Sequence, residues 1–247
     1  MMNQNDLETV KAGAPAYLLM IDSLIEGSPY DANTLLAGSK LYSSYAAAFV
    51  KDEARSKRFA DKSLSYAKRA LCKKMRSLCT DLDGNLDTLK WSLKNSDKKN
   101  IKVLYGFATA QAGWIQANSS DWNAIALLPQ LTALFERVLA MDESYDNGGA
   151  HLYMGVLSTL RPRSLGGEPE VGRKHFERAQ QLSNGKNLMV NVFFAKHYAR
   201  LVFNKKLHDH LLVQVLEKKA EQPTLTLINT LAKIQAKELL MESDEYF

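Results

Sequence analysis

Apolar residues recur at helical spacing along almost the whole chain, and strand-like alternation is nearly absent. The run over 16–26 stops at Gly27-Ser28-Pro29, and Asp31 is placed to cap a second run through Leu35, Leu36, Leu41, Tyr42, Tyr45 and Phe49. Further helices are predicted over about 52–77, 82–93 and 99–118. The next extends from a cap at Ser119-Ser120-Asp121 to Met141, with a kink or a split at Pro129. Asp146-Asn147-Gly148-Gly149 reads as a turn before a helix over 150–159, and helices over 170–182, 187–203, 206–217 and 224–243 complete the chain. The fold class is therefore all-α: about eleven helices joined by short loops, expected as one domain over 1–247.

A repeat organises these helices. Phe135-Glu136-Arg137-Val138-Leu139 returns as Phe176-Glu177-Arg178-Ala179-Gln180, 41 positions later, with a fainter echo at Ala67-Lys68-Arg69-Ala70-Leu71. A tetratricopeptide unit is 34 residues long, and the surplus of about seven matches the irregular stretch from Arg161 to Pro169. Helix pairs of this kind cannot bury their apolar faces alone. Stacking as antiparallel pairs does so, and leaves a surface for ligands or partners.

Composition narrows the function. The net charge of +5 is spread along the chain, and its densest basic stretches are Lys68-Arg69, 72–76 and Lys98-Lys99. No aromatics interleave with them as single-strand binding requires, so nucleic acid is excluded as a partner. No apolar run approaches the roughly 20 residues that span a bilayer. The polar start over 1–9 lacks a signal-peptide core, which fits either a cytoplasmic protein or a mature form whose export signal has been removed. Cys72 and Cys79 on one continuous helix would lie about 10 Å apart, so they are expected as free thiols unless the helix breaks between them.

The search for chemistry finds binding residues and no catalytic set. His208 and His210 do not share a helix face, and His151, His175 and His197 are scattered with no metal-binding motif. His151, just after Gly148-Gly149, reads as a structural histidine or a pocket hydrogen-bonder. Gly166-Gly167 lacks the Lys-Ser/Thr pair of a phosphate loop. Arg161 and Arg163 are placed to pin that loop to helix carboxylates or C-termini, or to hold an anion. Trp114, Ile115, Asn118 and Trp122 fall three to four apart: core packing at a helix junction, with Asn118 or Asp121 taking the indole N–H, or one wall of a ligand cleft. Phe194, Tyr198 and Leu201 share a face, with Tyr198 best able to aim a hydroxyl into a cavity.

An ordered set of segments then gives a resemblance. Ser28-Pro29 and 42–50 near the start are followed by 114–122, by 139–145, and by Gly148-Gly149-Ala150-His151-Leu152-Tyr153. Arg161-Pro162, Leu165-Gly166-Gly167, 175–179 and 225–233 complete the set. Together they resemble the TatT-like T component of tripartite ATP-independent periplasmic (TRAP) transporters over nearly the whole chain. The resemblance implies cryptic tetratricopeptide-like helix pairs and a non-enzymatic periplasmic role without cofactor or metal. It also implies association with a solute-binding P component, a homotrimer with ligand clefts and a central pore, and uptake of a small organic or hydrophobic solute. Native members are often lipid-anchored, and no lipobox precedes Met1. On this resemblance Trp114, Asn118, Trp122, His151, Tyr153 and Arg161 are ligand-cleft or pore candidates, and Tyr198 joins them from its place on its helix face. The competing readings are a cytoplasmic tetratricopeptide-like scaffold that grips a peptide, and a helical enzyme, for which no compact titratable set is present.

Overall fold

Short polar residues start most of these helices. Asp31, Asp52, Asn85, Asp121 and Asn204 each accept a hydrogen bond from a backbone N–H two or three residues on, which satisfies donors that the first turn leaves orphaned. In the computed structural model, which describes residues 2–247, the helices are α1 (Leu7–Gly27), α2 (Ala32–Phe49), α3 (Glu53–Lys74), α4 (Arg76–Asp81), α5 (Leu86–Lys94), α6 (Ile101–Ala117) and α7 (Trp122–Ile125). They continue as α8 (Leu128–Asp142), α9 (Tyr145–Ser158), α10 (Pro169–Leu182), α11 (Met189–Phe193), α12 (Lys205–Glu217), α13 (Thr226–Met241) and α14 (Ser243–Tyr246). A π-helical segment, Phe194–Ala199, continues α11. With that run taken as one, eleven of the described helices reach nine residues or more.

The described chain divides into two compact units, one formed by residues 2–10 and 143–247, the other by residues 11–142. In the second, α3 packs on α2 and α6, and α6 on α8. Its core includes Leu35, Leu71, Leu104, Leu134, Phe135 and Val138, all fully buried. In the first, α9 packs on α10, and α11, α12, α13 and the π segment enclose Phe176, Val192, Leu212, Val215 and Ala236, also fully buried. The α9–α10 contact is close because it uses glycine: a Cβ on Gly155 would lie 2.8 Å from the Phe176 ring. Phe135 and Phe176, the residues that lead the two copies of the repeated motif, are both 0% exposed.

Several expectations change. Helix α1 begins at Leu7, well before residue 16, because Asp6 accepts from the Glu8 and Thr9 N–H groups and the helix carries Pro15 inside it. Pro129 splits its helix, standing second in α8 after the short α7. The run Trp122–Asp142, with mean hydropathy 1.4, is after all long and apolar enough to cross a bilayer by composition. It is a core segment: Leu131, Leu134, Phe135 and Val138 are at most 2% exposed within their unit. The largest correction concerns the cysteines. Met75 leaves helical geometry at φ −136° and ψ 63°, which breaks the chain between α3 and α4. The break brings the Cα atoms of Cys72 and Cys79 to 4.9 Å, and the two form a disulfide instead of free thiols.

Candidate functional site

The first turn of α9 is left-handed for three residues, with φ of 52° at Asp146, 56° at Asn147 and 78° at Gly148. Only the last is a glycine, and a Cβ there would lie 2.9 Å from Leu182. This turn sets the first regular residues of α9 against α10, so that His151 meets His175 with their Nδ1 atoms 2.8 Å apart. The other nitrogen of His151, Nε2, lies 3.2 Å from the Glu143 carboxylate, which also accepts from Arg178 Nε at 3.1 Å.

The proton positions follow from this geometry. His151 donates from Nε2 to Glu143, so its neutral ring offers Nδ1 as an acceptor and His175 donates from Nδ1. Burial lowers the basicity of His151, and Glu143 offsets this only in part. Burial and the neighbouring His151 bring His175 down to about 4. The Arg178 and His151 hydrogen bonds bring Glu143 down to about 2. Four side chains form a chain, Arg178–Glu143–His151–His175, with two neutral rings at its buried end.

Tyr198 reaches the same helix further back. Its hydroxyl donates to Glu170 Oε1 at 2.7 Å, and Arg173 Nε holds the other oxygen of that carboxylate at 3.0 Å. Burial and Glu170 push the Tyr198 phenol up to about 12. Tyr198 lies on the π-helical turn, a distortion frequent at functional sites. Next to it His197 packs edge-on to Phe193, and burial followed by the Lys196 charge brings its ring down to about 4. Tyr153 lies two residues along α9 from His151, and burial with the Asp146 charge raises its phenol to about 12.

Arg161 is exposed, and neither it nor Arg163 makes a side-chain hydrogen bond or ion pair among the described residues. The loop is pinned by its own backbone instead. Leu165 and Gly167 N–H both donate to the Pro162 carbonyl, and Glu168 N–H donates to that of Ser158. Gly166, not Gly167, adopts positive φ, at 76°; Gly167 is required because a Cβ there would fall 1.8 Å from the Arg161 carbonyl oxygen.

In the other unit Trp114 is half-buried, and its indole N–H donates to Asp61 on α3 at 2.6 Å, not to Asn118 or Asp121. Asn118 turns back to the Trp114 carbonyl at 2.9 Å and closes α6. Trp122, at 85% exposure, offers nearly its whole ring to solvent.

This unit also holds a cluster that spacing did not reveal. Asp22 accepts from the Tyr42 and Tyr66 hydroxyls, each at 2.7 Å, and pairs with Lys62, whose ammonium lies 4.8 Å from the Tyr42 ring centre. Burial would raise the Asp22 carboxyl, but the Lys62, Tyr42 and Tyr66 hydrogen bonds outweigh it and hold it low. The available signal was Asp22, a carboxylate set among the apolar residues of the run over 16–26, since a charge drawn toward the interior demands partners.

None of these groupings is built for bond-making. Ser243, His208 and Asp209 come together, but Ser243 Oγ and His208 Nδ1 both meet Asp209 Oδ1, at 2.6 and 2.8 Å. The serine is therefore bound to the carboxylate and not to the imidazole that would activate it. Among the described residues no three His, Cys, Asp or Glu side chains converge as metal ligands. What remains is suited to binding: aromatic area with a few oriented polar groups. A family model described as the TRAP transporter T-component (TAtT) matches residues 3–247. No curated protein matches the chain.

Proposed function

Because the chain belongs to the TRAP transporter T-component family, a family of non-enzymatic periplasmic accessory proteins, we propose that it binds the transporter's solute-binding P component and a small organic or hydrophobic solute. The observation that carries this reading is a match running from residue 3 to residue 247 through both units. The same span supports treating the chain as one functional domain of stacked, tetratricopeptide-like helix pairs, and Phe135 and Phe176 in equivalent buried roles support the repeat. The solute-contacting residues in this proposal are His151, Tyr153, Arg161 and Tyr198 in one unit and Trp114, Asn118 and Trp122 in the other. A homotrimer and a lipid anchor on the native protein belong to the same reading.

The disulfide favours the periplasm over the cytoplasmic scaffold, because such bonds persist in oxidising compartments. Native mass spectrometry of the chain mixed with its cognate solute-binding protein tests the proposal. A defined complex is expected; no association with or without solute would overturn the partner role.

A further inference from the structure

A cavity of about 240 Å³ opens between the loop after α10 and the segment after α12, lined by Lys186, Lys218 and Lys219, by the amides of Asn184 and Gln222, and by Leu188. Every charged side chain in this lining is a cation. Such a concave run of one sign concentrates field and attracts a counter-ion. Glu221, beside the lining Gln222, has its carboxylate 3.4 Å from the Asn5 amide.

The walls are held in place from beneath. Asn229, 0% exposed, accepts from Leu188 N–H at 2.9 Å and donates to the carbonyls of Lys186 and Ala220, at 2.9 and 3.1 Å. One buried amide thus ties together the two segments that carry the lysines. Lys233 adds a second tie, donating to the Lys218 carbonyl at 2.6 Å. On the facing wall Asn184 and Gly185 are left-handed, and a Cβ on Gly185 would lie only 3.0 Å from Lys218 Nζ. Glycine lets that ammonium lie over the loop, 3.4 Å from the Gly185 carbonyl. Lys186 and Lys219 are exposed and make no such hydrogen bond among the described residues. The neighbouring acid, Glu221, feels the Lys219 charge but is hydrogen-bonded to Asn5, which leaves both ammonium groups open to a ligand.

We propose that this cavity binds a phosphoryl dianion, either free phosphate or a phosphate monoester. The lining contains no guanidinium, so it lacks the planar fork that grips a carboxylate through two parallel bonds. Three ammonium groups are point charges with rotatable donors, which suits the several outward oxygens of a tetrahedral dianion. The amides of Asn184 and Gln222 add neutral donors at the rim. This inference does not depend on the transporter reading.

A heteronuclear NMR titration of the intact chain with inorganic phosphate, at constant ionic strength and with acetate as control, tests it. Saturable shifts confined to residues 184–188 and 218–222 are expected with phosphate and not with acetate. The variant Lys186→Ala/Lys219→Ala changes only exposed side chains, so its melting curve should match the parent, while its phosphate affinity falls about tenfold or more. Equal shifts with acetate, shifts spread over the surface, or an unchanged affinity in the variant would each overturn the proposal. Co-sedimentation with phosphatidylcholine vesicles, with and without phosphatidic acid, separates the sources. Retention on phosphatidic acid that the variant loses assigns a lipid headgroup, and phosphate binding without retention assigns a soluble anion.

Discussion

The two units hold polar groups in their interiors by opposite means. In residues 11–142 a carboxylate is saturated: Asp22 has an ammonium and two phenols on it, and the charge is kept. In the unit containing residues 143–247 two basic rings are brought within 2.8 Å of each other and the charge is given up, since a proton on both would place two cations in contact at a half-buried site. The first arrangement fixes α1, α2 and α3 whatever the pH above the carboxylate range. The second holds α9 to α10 only while the histidines stay neutral. The contact that pH can adjust therefore lies in the unit containing residues 143–247.

The widest test of the comparison removes the feature the units share. Phe135→Ala and Phe176→Ala each empty a fully buried site and should cost about 3–5 kcal/mol in denaturant melts. Similar losses would support equivalent places in a repeat. A loss under about 1 kcal/mol for either one would break the equivalence.

Asp22→Ala comes next. It leaves Lys62 and the hydroxyls of Tyr42 and Tyr66 without their common acceptor and should cost about 2–3 kcal/mol, the Lys62 share being reduced because its side chain is 38% exposed. Asp22→Asn should recover part of this, since an amide oxygen still accepts. A neutral outcome for Asp22→Ala would show that the cluster does not fix the three helices.

The histidine pair should separate the units by pH. The unfolded rings titrate near 6.5 and His175 in the fold near about 4, so the unfolded chain takes up protons first as the pH falls. The stabilisation is full above 6.5 and drains between 6.5 and 4, on the order of 2 kcal/mol after allowance for partial solvation. The Asp22 carboxyl is also lowered, but from 3.8, so its contribution persists across that window and is lost only as the pH falls below 3.8 through its folded value. His151→Gln/His175→Gln should flatten the slope without abolishing it, because His197 titrates in the same window. Stability measured at intervals from pH 7 to about 4 reads this directly; an unchanged slope in the double variant would remove the histidine pair as its source.

What could be read beforehand divides along a physical line. Helix existence, the caps at Asp31 and Asp121, the split at Pro129 and the 146–149 turn are local, and local chemistry announced them. The disulfide was missed because nothing near Met75 breaks helices: no glycine or proline stands between Cys72 and Cys79, and the break comes from how α3 and α4 pack. The His151–His175 contact joins residues 24 positions apart on different helices, which no periodicity can reveal. Asn118 or Asp121 was the expected acceptor for the Trp114 indole, but the indole donates to Asp61, 53 positions away, because α3 rather than the following turn is its neighbour.

That indole gives the smallest and most discriminating prediction. If Trp114 were full core, Trp114→Ala would cost as much as the phenylalanine truncations. Half-buried, and held to an exposed Asp61, it should cost clearly less. Trp114→Phe separates its two contributions: the ring stays and the hydrogen bond to Asp61 goes, for a loss of about 1 kcal/mol. Asp61→Asn keeps an acceptor for the indole and should cost still less. Equal losses for Trp114→Phe and Trp114→Ala would mean that the hydrogen bond, not the ring, joins α6 to α3. A loss from Trp114→Ala alone would make the ring the joint, and would make this contact more like the packed glycine–phenylalanine seam of α9 and α10 than like the saturated carboxylate of Asp22.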